Sequence, residues 1–193
     1  MLAGMARFLG EQAKFEALTA PKKKAAAVFG AAVPVRPPGF CVGCPERPVF
    51  AAMKLAEKDV GAFHVSADIG CHLFSSLPPF NIGNTVLGYG LGLASNSAVN
   101  PMFKGRTLTV MGDGGFWHNG LTTGIANAVF NKDDGILVVM KNGYSSATGT
   151  QELPSSPQHS DSKATDMAME RALRGVGVQW MRTVHTYHVE EMT

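Results

Sequence analysis

Three glycines crowd one aspartate in VMGDGGFWHNGL (110–121), just after an apolar run and ahead of a helix-like segment. A glycine-lined turn before a helix presents backbone N–H groups and the positive end of the helix dipole, a combination that draws phosphate. Asp113 would repel that phosphate, so a cation must stand between them, and a divalent ion is the simplest choice. Mg2+ takes near-octahedral oxygen coordination and is commonly held by one or two carboxylates together with substrate phosphates. Asp113 supplies one oxygen. Asn142, 29 positions later at the end of a second apolar run, supplies another, and the backbone carbonyl of Tyr144 a third. Gly114 and Gly115 let diphosphate oxygens approach the main chain. A tight turn with Asp113 capping the helix would also explain GDGG, though not Asn142 at that distance. Trp117, His118 and Asn119 could line such a site, but a packed Trp117 and an N-capping Asn119 are equally economical.

A second group of reactive side chains lies upstream. FCVGCPERP puts Cys41 and Cys44 at CxxC spacing, and Cys71 follows inside DIGC. Such a pair can ligate zinc, help hold an iron–sulfur cluster or work as a dithiol switch. Zinc and cluster sites normally want four ligands, and the chain has three cysteines. A thioredoxin-like pair opens a helix directly after a strand, whereas Cys41 follows a proline-rich stretch. Near the C-terminus, His185 and His188 form an HxxH pair that suits either the solvated surface or a metal.

Chemistry of this kind needs strand ends to hold it. Thr107 to Met111 and Gly135 to Met140 have the continuous apolar character of buried strands, and Asn119 to Phe130 between them has helical spacing. Strand, helix, strand is a βαβ unit, which leads to a parallel sheet with helices on both faces and ligands at the carboxyl ends of the strands. GDGG and Asn142 both fall at such ends. Upstream, Pro48 to Lys58 is expected to be helical, His64 to Ala67 a short strand, and the small-residue run Asn84 to Val99 a helix despite its glycines. Beyond Ser145 a polar loop is expected to cover the site or move. A helix over Thr165 to Leu173 and a last strand over Val178 to Val184 follow. Residues 1–39 suit a lead-in segment: an amphipathic piece over Ala6 to Leu18, a solvated linker at Lys22 to Lys24, and a connector ending at Arg36-Pro-Pro-Gly39. Residues 40–193 form the domain proper.

Composition removes several classes. A chain of 193 residues, 45% hydrophobic with 22 Gly and 11 Pro, suits one globular domain rich in tight turns. A formal net charge of +2 is too small to imply nucleic acid. No uninterrupted apolar stretch reaches membrane-spanning length, and the N-terminus lacks the parts of a signal peptide. An odd cysteine count argues against a secreted disulfide framework, so a cytoplasmic protein is expected.

Taken in order, CxGCPxRP, DIGC, GDGGFxHxGL, Asn142 and TGxQ resemble the indolepyruvate:ferredoxin oxidoreductases, part of the wider thiamine-dependent 2-oxoacid:ferredoxin oxidoreductase family. The matching stretches are CVGCPERP (41–48), SADIGC (66–71), PPFNIGNT (78–85), GDGGFWHNGL (112–121) and NGYSSATGTQ (142–151). The resemblance implies a three-layer α/β/α thiamine diphosphate-binding fold around a mainly parallel sheet. It implies thiamine diphosphate and Mg2+ as cofactors, anchored by Gly112, Asp113, Gly114, Gly115, Asn142 and Tyr144, with Gly70 and Cys71 approaching from the neighbouring strand end. The implied reaction decarboxylates an aryl 2-oxoacid such as indolepyruvate, passes the acyl group to coenzyme A and sends electrons through iron–sulfur clusters to ferredoxin. In related branches, cysteines at positions like Cys41, Cys44 and Cys71 help ligate a cluster; here no fourth cysteine follows, which favours packed or redox-silent thiols over a cluster bound by this chain alone. Relatives commonly carry Asp where Lys141 stands, and a lysine there would either weaken Mg2+ binding or point to solvent. The Glu that activates the cofactor is expected on a pyrimidine-binding domain. That domain and a ferredoxin-type module would be the chain's partners in an oligomeric enzyme, of which this is a piece inactive alone. Two alternatives are a non-oxidative thiamine decarboxylase or synthase domain, and a non-catalytic thiol- or metal-binding interaction module.

Overall fold

The computed structural model describes residues 7–30, 37–157 and 167–193. Two compact units divide the chain, Met1–Pro38 and Gly39–Thr193. In the first, helix α1 (Gln12–Phe29) runs through Pro21 and the lysines with no residue buried. Lys22 to Lys24 are solvated as the sequence suggests, but helical rather than linker, since Ala and Lys are strong helix formers. Ala6 and the stretch 31–36 lie outside the described residues.

The second unit is built on four strands: β1 (Val65–Ala67), β2 (Thr85–Val86), β3 (Leu108–Gly112) and β4 (Ile136–Met140). All neighbours are parallel, in the order β2-β1-β3-β4. Successive residues of β3 point to opposite faces, and each face has its own cover. Val110 packs with Val49, Phe50 and Met53 of helix α2 (Glu46–Val60), together with Val65, Ile82 and Met140. Met111 packs on the other side against Leu93 of α3 (Gly92–Val99), Phe116 and Ile125 of α4 (Asp113–Asn131), and Met169 of α5 (Met169–Gly175). The result is the three-layer α/β/α arrangement with a parallel sheet. Phe50 and Phe116 are fully buried, one on each face, and such burial contributes roughly 2–3 kcal/mol per side chain. A short helix, α6 (Val189–Met192), brings Met192 against the α2 face. A two-stranded antiparallel ribbon, β5 (Tyr144–Ser145) with β6 (Gln151–Glu152), follows β4.

Helix α4 comes in three consecutive pieces: Asp113–Gly115, a π-helical stretch Phe116–Ile125, and Ala126–Asn131. It therefore begins six residues before the Asn119 start suggested by the apolar spacing, and Asn119 is interior rather than an N-cap. Glycines let it lie close to its neighbours: a Cβ at Gly120 would stand 2.5 Å from Met111 Sδ, and one at Gly124 3.2 Å from Leu93 Cβ.

Three further expectations need correction. Helix α2 is longer than Pro48 to Lys58 at both ends. The run Asn84 to Val99 is helical only from Gly92. Its first part forms β2 and then a turn at Gly90, whose φ of +80° no helix allows. Val178 to Val184 form no strand, because the Arg174 guanidinium takes the carbonyls of Val178 and Gln179. The expected helix at Thr165 is described from Met169, residues 158–166 lying outside the described set. Among the described residues no helix is long and apolar enough to cross a membrane.

Candidate functional site

Strand β3 ends at Gly112, which has extended backbone and serves as N-cap, and Asp113 is the first helical residue of α4. The β3–β4 register pairs Gly112 with Met140, so the two strands end level. The turn after β4 thus meets the first residue of α4. Asp113 is 2% exposed. Its Oδ2 accepts the backbone N–H groups of Gly143 at 2.7 Å and Asn142 at 3.0 Å, and its Oδ1 accepts that of Gly114 at 3.0 Å. Burial pushes its carboxyl above the usual range, and the bonds from Gly143, Asn142 and Gly114 oppose the rise by favouring the anion. Oδ1, with one protein donor, keeps lone-pair capacity.

The Asn142 side chain is held in turn. Its Oδ1 accepts the Tyr144 N–H at 3.1 Å and its Nδ2 donates to Ser146 Oγ at 3.3 Å. Gly143 is gripped from the far side, where the buried Ser156 hydroxyl donates to its carbonyl at 2.5 Å and accepts the Leu153 N–H at 2.7 Å. Asp113 and Ser156 therefore clamp the Asn142–Gly143 turn between them.

A cavity of about 320 Å³ opens at these strand ends. Gly70, Cys71, Gly112, Asp113, Gly114, Gly115, Asn142 and Tyr144 all border it, joined by Glu46, His72, Tyr89 and the segment Ser145 to Thr148. The near part of the polar loop thus lies over the site. Hard oxygen donors at Asp113 and Asn142 suit a hard cation. Gly114 lets the Tyr89 hydroxyl, which bonds Ser145 Oγ at 2.9 Å, close against the helix start: a Cβ there would fall 2.1 Å from it. Lys141 pairs with Glu170 at 3.8 Å, its charge directed to α5 and not into the cavity.

The three thiols are free. Cys41 is exposed, and the Cys44 N–H donates to its carbonyl at 3.2 Å. Cys71 Sγ lies 3.7 Å from Ser146 Oγ. Burial pushes the Cys44 thiol above its usual range. Among the described residues no group of three or more His, Cys, Asp or Glu side chains is placed to hold a metal ion. His185 and His188 sit with rings 5.4 Å apart, His188 facing Glu191 at 3.6 Å on the surface.

Several site residues escape sequence reasoning. Glu46, inside the CVGCPERP stretch that the cysteines dominate, opens α2 with Oε2 unpartnered at the cavity. Burial, and then the negative charge of Asp113, raise its carboxyl to about 7. Asp68, fully buried at the end of β1, accepts the N–H groups of Ile69 at 2.6 Å and Gly90 at 2.7 Å, tying the turn beside Tyr89 to the sheet. The Tyr89 ring lies 4.9 Å from that of His118, and both border a second cavity of about 300 Å³ with Trp117, whose Nε1 donates to Ser155 Oγ at 2.8 Å. Trp117 and His118 were among the lining residues the sequence suggests, whereas for Asp68 and Glu46 only a position within DIGC and a charge beside a helix start could have served.

The family described as "Thiamine pyrophosphate enzyme, C-terminal TPP binding domain" matches residues 68–193. The indolepyruvate oxidoreductase subunit IorA of Methanothermobacter thermautotrophicus is 29% identical over 163 residues, covering 82% of this chain and 26% of the relative. The IorA of Pyrococcus horikoshii is 29% identical over 203 residues, covering 97% and 30%. The chain thus spans less than a third of the length of the curated relatives it matches. A solved 2-oxoglutarate:ferredoxin oxidoreductase from Magnetococcus marinus overlays with a TM-score of 0.49 at 22% identity, covering 64% of this chain and 43% of that one. By a family match over more than half its length, the chain belongs to the thiamine pyrophosphate enzymes, of which it carries the C-terminal cofactor-binding domain.

Proposed function

We propose that the chain anchors the diphosphate of thiamine diphosphate through Mg2+, as one domain of an oxidoreductase that oxidatively decarboxylates aryl 2-oxoacids such as indolepyruvate. The acyl group would pass to coenzyme A and the electrons to ferredoxin. The observation that carries this reading is the Asp113 carboxylate at the head of α4, bonded at 2.7 and 3.0 Å to the turn that presents Asn142. Asp113 Oδ1, Asn142 Oδ1 and the Tyr144 carbonyl would hold the metal. Gly112, Gly114 and Gly115 would admit the diphosphate to the main chain at the helix start. Gly70 and Cys71 border the cavity from the β1 side, and the unpartnered Glu46 carboxyl faces the same space. When bound, thiamine supplies the carbanion-stabilising chemistry. This chain's residues bind and orient it, with Tyr89 and the Ser145 to Thr148 segment bordering the anchor. The names of the IorA relatives support the aryl 2-oxoacid. The activating Glu and the iron–sulfur clusters would belong to pyrimidine-binding and ferredoxin-type parts of the same oligomeric enzyme.

Calorimetric titration with thiamine diphosphate tests the anchor. Binding is expected to require Mg2+. Asp113→Ala should weaken it at least about 100-fold, or about 2.7 kcal/mol, and Asn142→Ala about tenfold. Unchanged affinity in Asp113→Ala would remove the metal assignment.

A further inference from the structure

The second cavity, of about 300 Å³, adjoins the first, and the two share Tyr89, Gly114, Ser145 and Thr148 as walls. Tyr89 and Ser145, joined hydroxyl to hydroxyl at 2.9 Å, form a partition with a space on either side. Beyond it the lining turns aromatic and apolar, with Trp117 and His118 of α4 and Leu153 and Pro154 of the loop. The rings are held in place by the protein itself. Trp117 donates from Nε1 to the buried Ser155 hydroxyl at 2.8 Å and meets the Phe116 ring edge-on, with centroids 4.8 Å apart. Tyr89 is fixed at its hydroxyl by Ser145, and its ring lies 4.9 Å from that of His118 at an angle of 39°. At the mouth, the Gln151 amide is used within the loop: Oε1 accepts the Thr148 hydroxyl and Nε2 donates to the Thr148 carbonyl, each at 2.7 Å. His118, Thr148 and Gln151 are exposed, so this space is reached from solvent. Neither Asp113 nor Asn142 borders it, and among the described residues its walls include no carboxylate, lysine or arginine.

Those walls select among ligand chemistries. A diphosphate or carboxylate finds no positive side chain here, and a cationic ring finds no carboxylate. Fixed aromatic faces beside Leu153 and Pro154 suit a neutral planar ring, which gains from apolar burial and from offset or edge-on ring contacts. Because Trp117 and Tyr89 are already held, little ordering cost opposes such binding. A volume of about 300 Å³ is at the small end of ligand sites, room for a ring and not for a whole cofactor. We infer that this cavity is the subsite for the aryl side chain of the 2-oxoacid, with Tyr89, Trp117 and His118 setting the preference for aromatic over small aliphatic substrates. The inference rests on the thiamine diphosphate reading, which puts the cofactor on the other side of the Tyr89–Ser145 partition. A methyl side chain would touch too little of these faces to gain from them.

Proton–nitrogen and proton–carbon correlation spectra of the isotope-labelled 193-residue chain report on the two α4 rings directly. The chain has two tryptophans, and Trp180→Phe, at a position 77% exposed, identifies the Trp117 indole N–H by elimination. The chain is first saturated with Mg2+ and thiamine diphosphate, with calorimetry confirming saturation, and then titrated with phenylpyruvate or, in parallel, with pyruvate. Phenylpyruvate at millimolar concentration should shift the Trp117 indole and His118 ring signals saturably, and pyruvate should leave both in place. His118→Ala, which removes one exposed ring, should weaken phenylpyruvate binding about fivefold while thiamine diphosphate affinity holds. No shift with phenylpyruvate on the saturated chain, or equal shifts with pyruvate, would overturn the inference and leave the cofactor reading standing. So would a Trp117 shift on adding thiamine diphosphate that abolishes the later response to phenylpyruvate, since the cavity would then hold a ring of the cofactor. Failure of thiamine diphosphate to bind would remove the reading and the inference together. Should His118→Ala fail to fold, the wild-type titrations decide alone.

Discussion

At the residue scale, the two acidic groups of the cavity differ in what surrounds them. Asp113 has three backbone donors that offset its burial, whereas Glu46 has an unpartnered oxygen and a negative neighbour. Glu46 therefore holds its proton more tightly folded than unfolded. Its favourable contribution to stability is complete below about pH 4.5 and falls away as pH rises towards about 7. In metal-free buffer, Glu46→Gln should gain roughly 2–3 kcal/mol relative to wild type between pH 5 and pH 8, as measured by urea unfolding at both values. A difference independent of pH would show that Glu46 is already charged in the folded chain. The contrast also marks how far single residues could be read from sequence. Asp113 and Asn142 were legible because one helix and one return strand fix how far apart two parallel strand ends lie along the chain. Glu46, His72 and Ser156 were not, because each meets the site only through packing between segments distant in sequence.

At the scale of elements, apolar runs gave β3, β4 and the helix between them, and small-residue runs misled. NTVLGYGLGLASNSAV carries no clear period, and the structure divides it between an edge strand, a turn and a helix. The turn exists because Asp68 draws the Gly90 N–H at 2.7 Å and because α4 comes down on it. A Cβ at Gly90 would meet Asn119 Cβ at 2.7 Å, and the Gly115 carbonyl and Gly120 nitrogen at 2.8 Å. The start of α4 thus takes its position from a glycine far from it in sequence, and no local pattern announces that. Gly90→Ala is expected to cost about 3 kcal/mol or more in urea unfolding, combining positive φ with a backbone clash. Gly61→Ala, with a similar φ of +83° but nothing within 4 Å, should cost only about 1 kcal/mol. Equal costs would mean that α4 does not press on the turn.

At the scale of the whole molecule, the proposed anchor is more complete than any reaction centre. Every acidic side chain bordering the cavity is spoken for by position: Asp113 by the turn that carries Asn142, and Glu46 by burial at the head of α2. Ile69 and Tyr144, which border the same cavity, remain 37% and 42% exposed, so the side away from the sheet is not closed by this chain's described residues. Excluding water and activating the cofactor both need a wall there. The curated relatives are more than three times as long as the part matched here, and under the proposed function that wall would come from other parts of the enzyme. The 193-residue chain should accordingly bind Mg2+ and thiamine diphosphate with measurable affinity, yet show no indolepyruvate oxidation above background with coenzyme A and an artificial electron acceptor. Adding the remaining parts of the enzyme should restore turnover. Steady turnover by the isolated chain would mean that the anchor already contains the activating group, and Glu46 would be the first residue to test for that role.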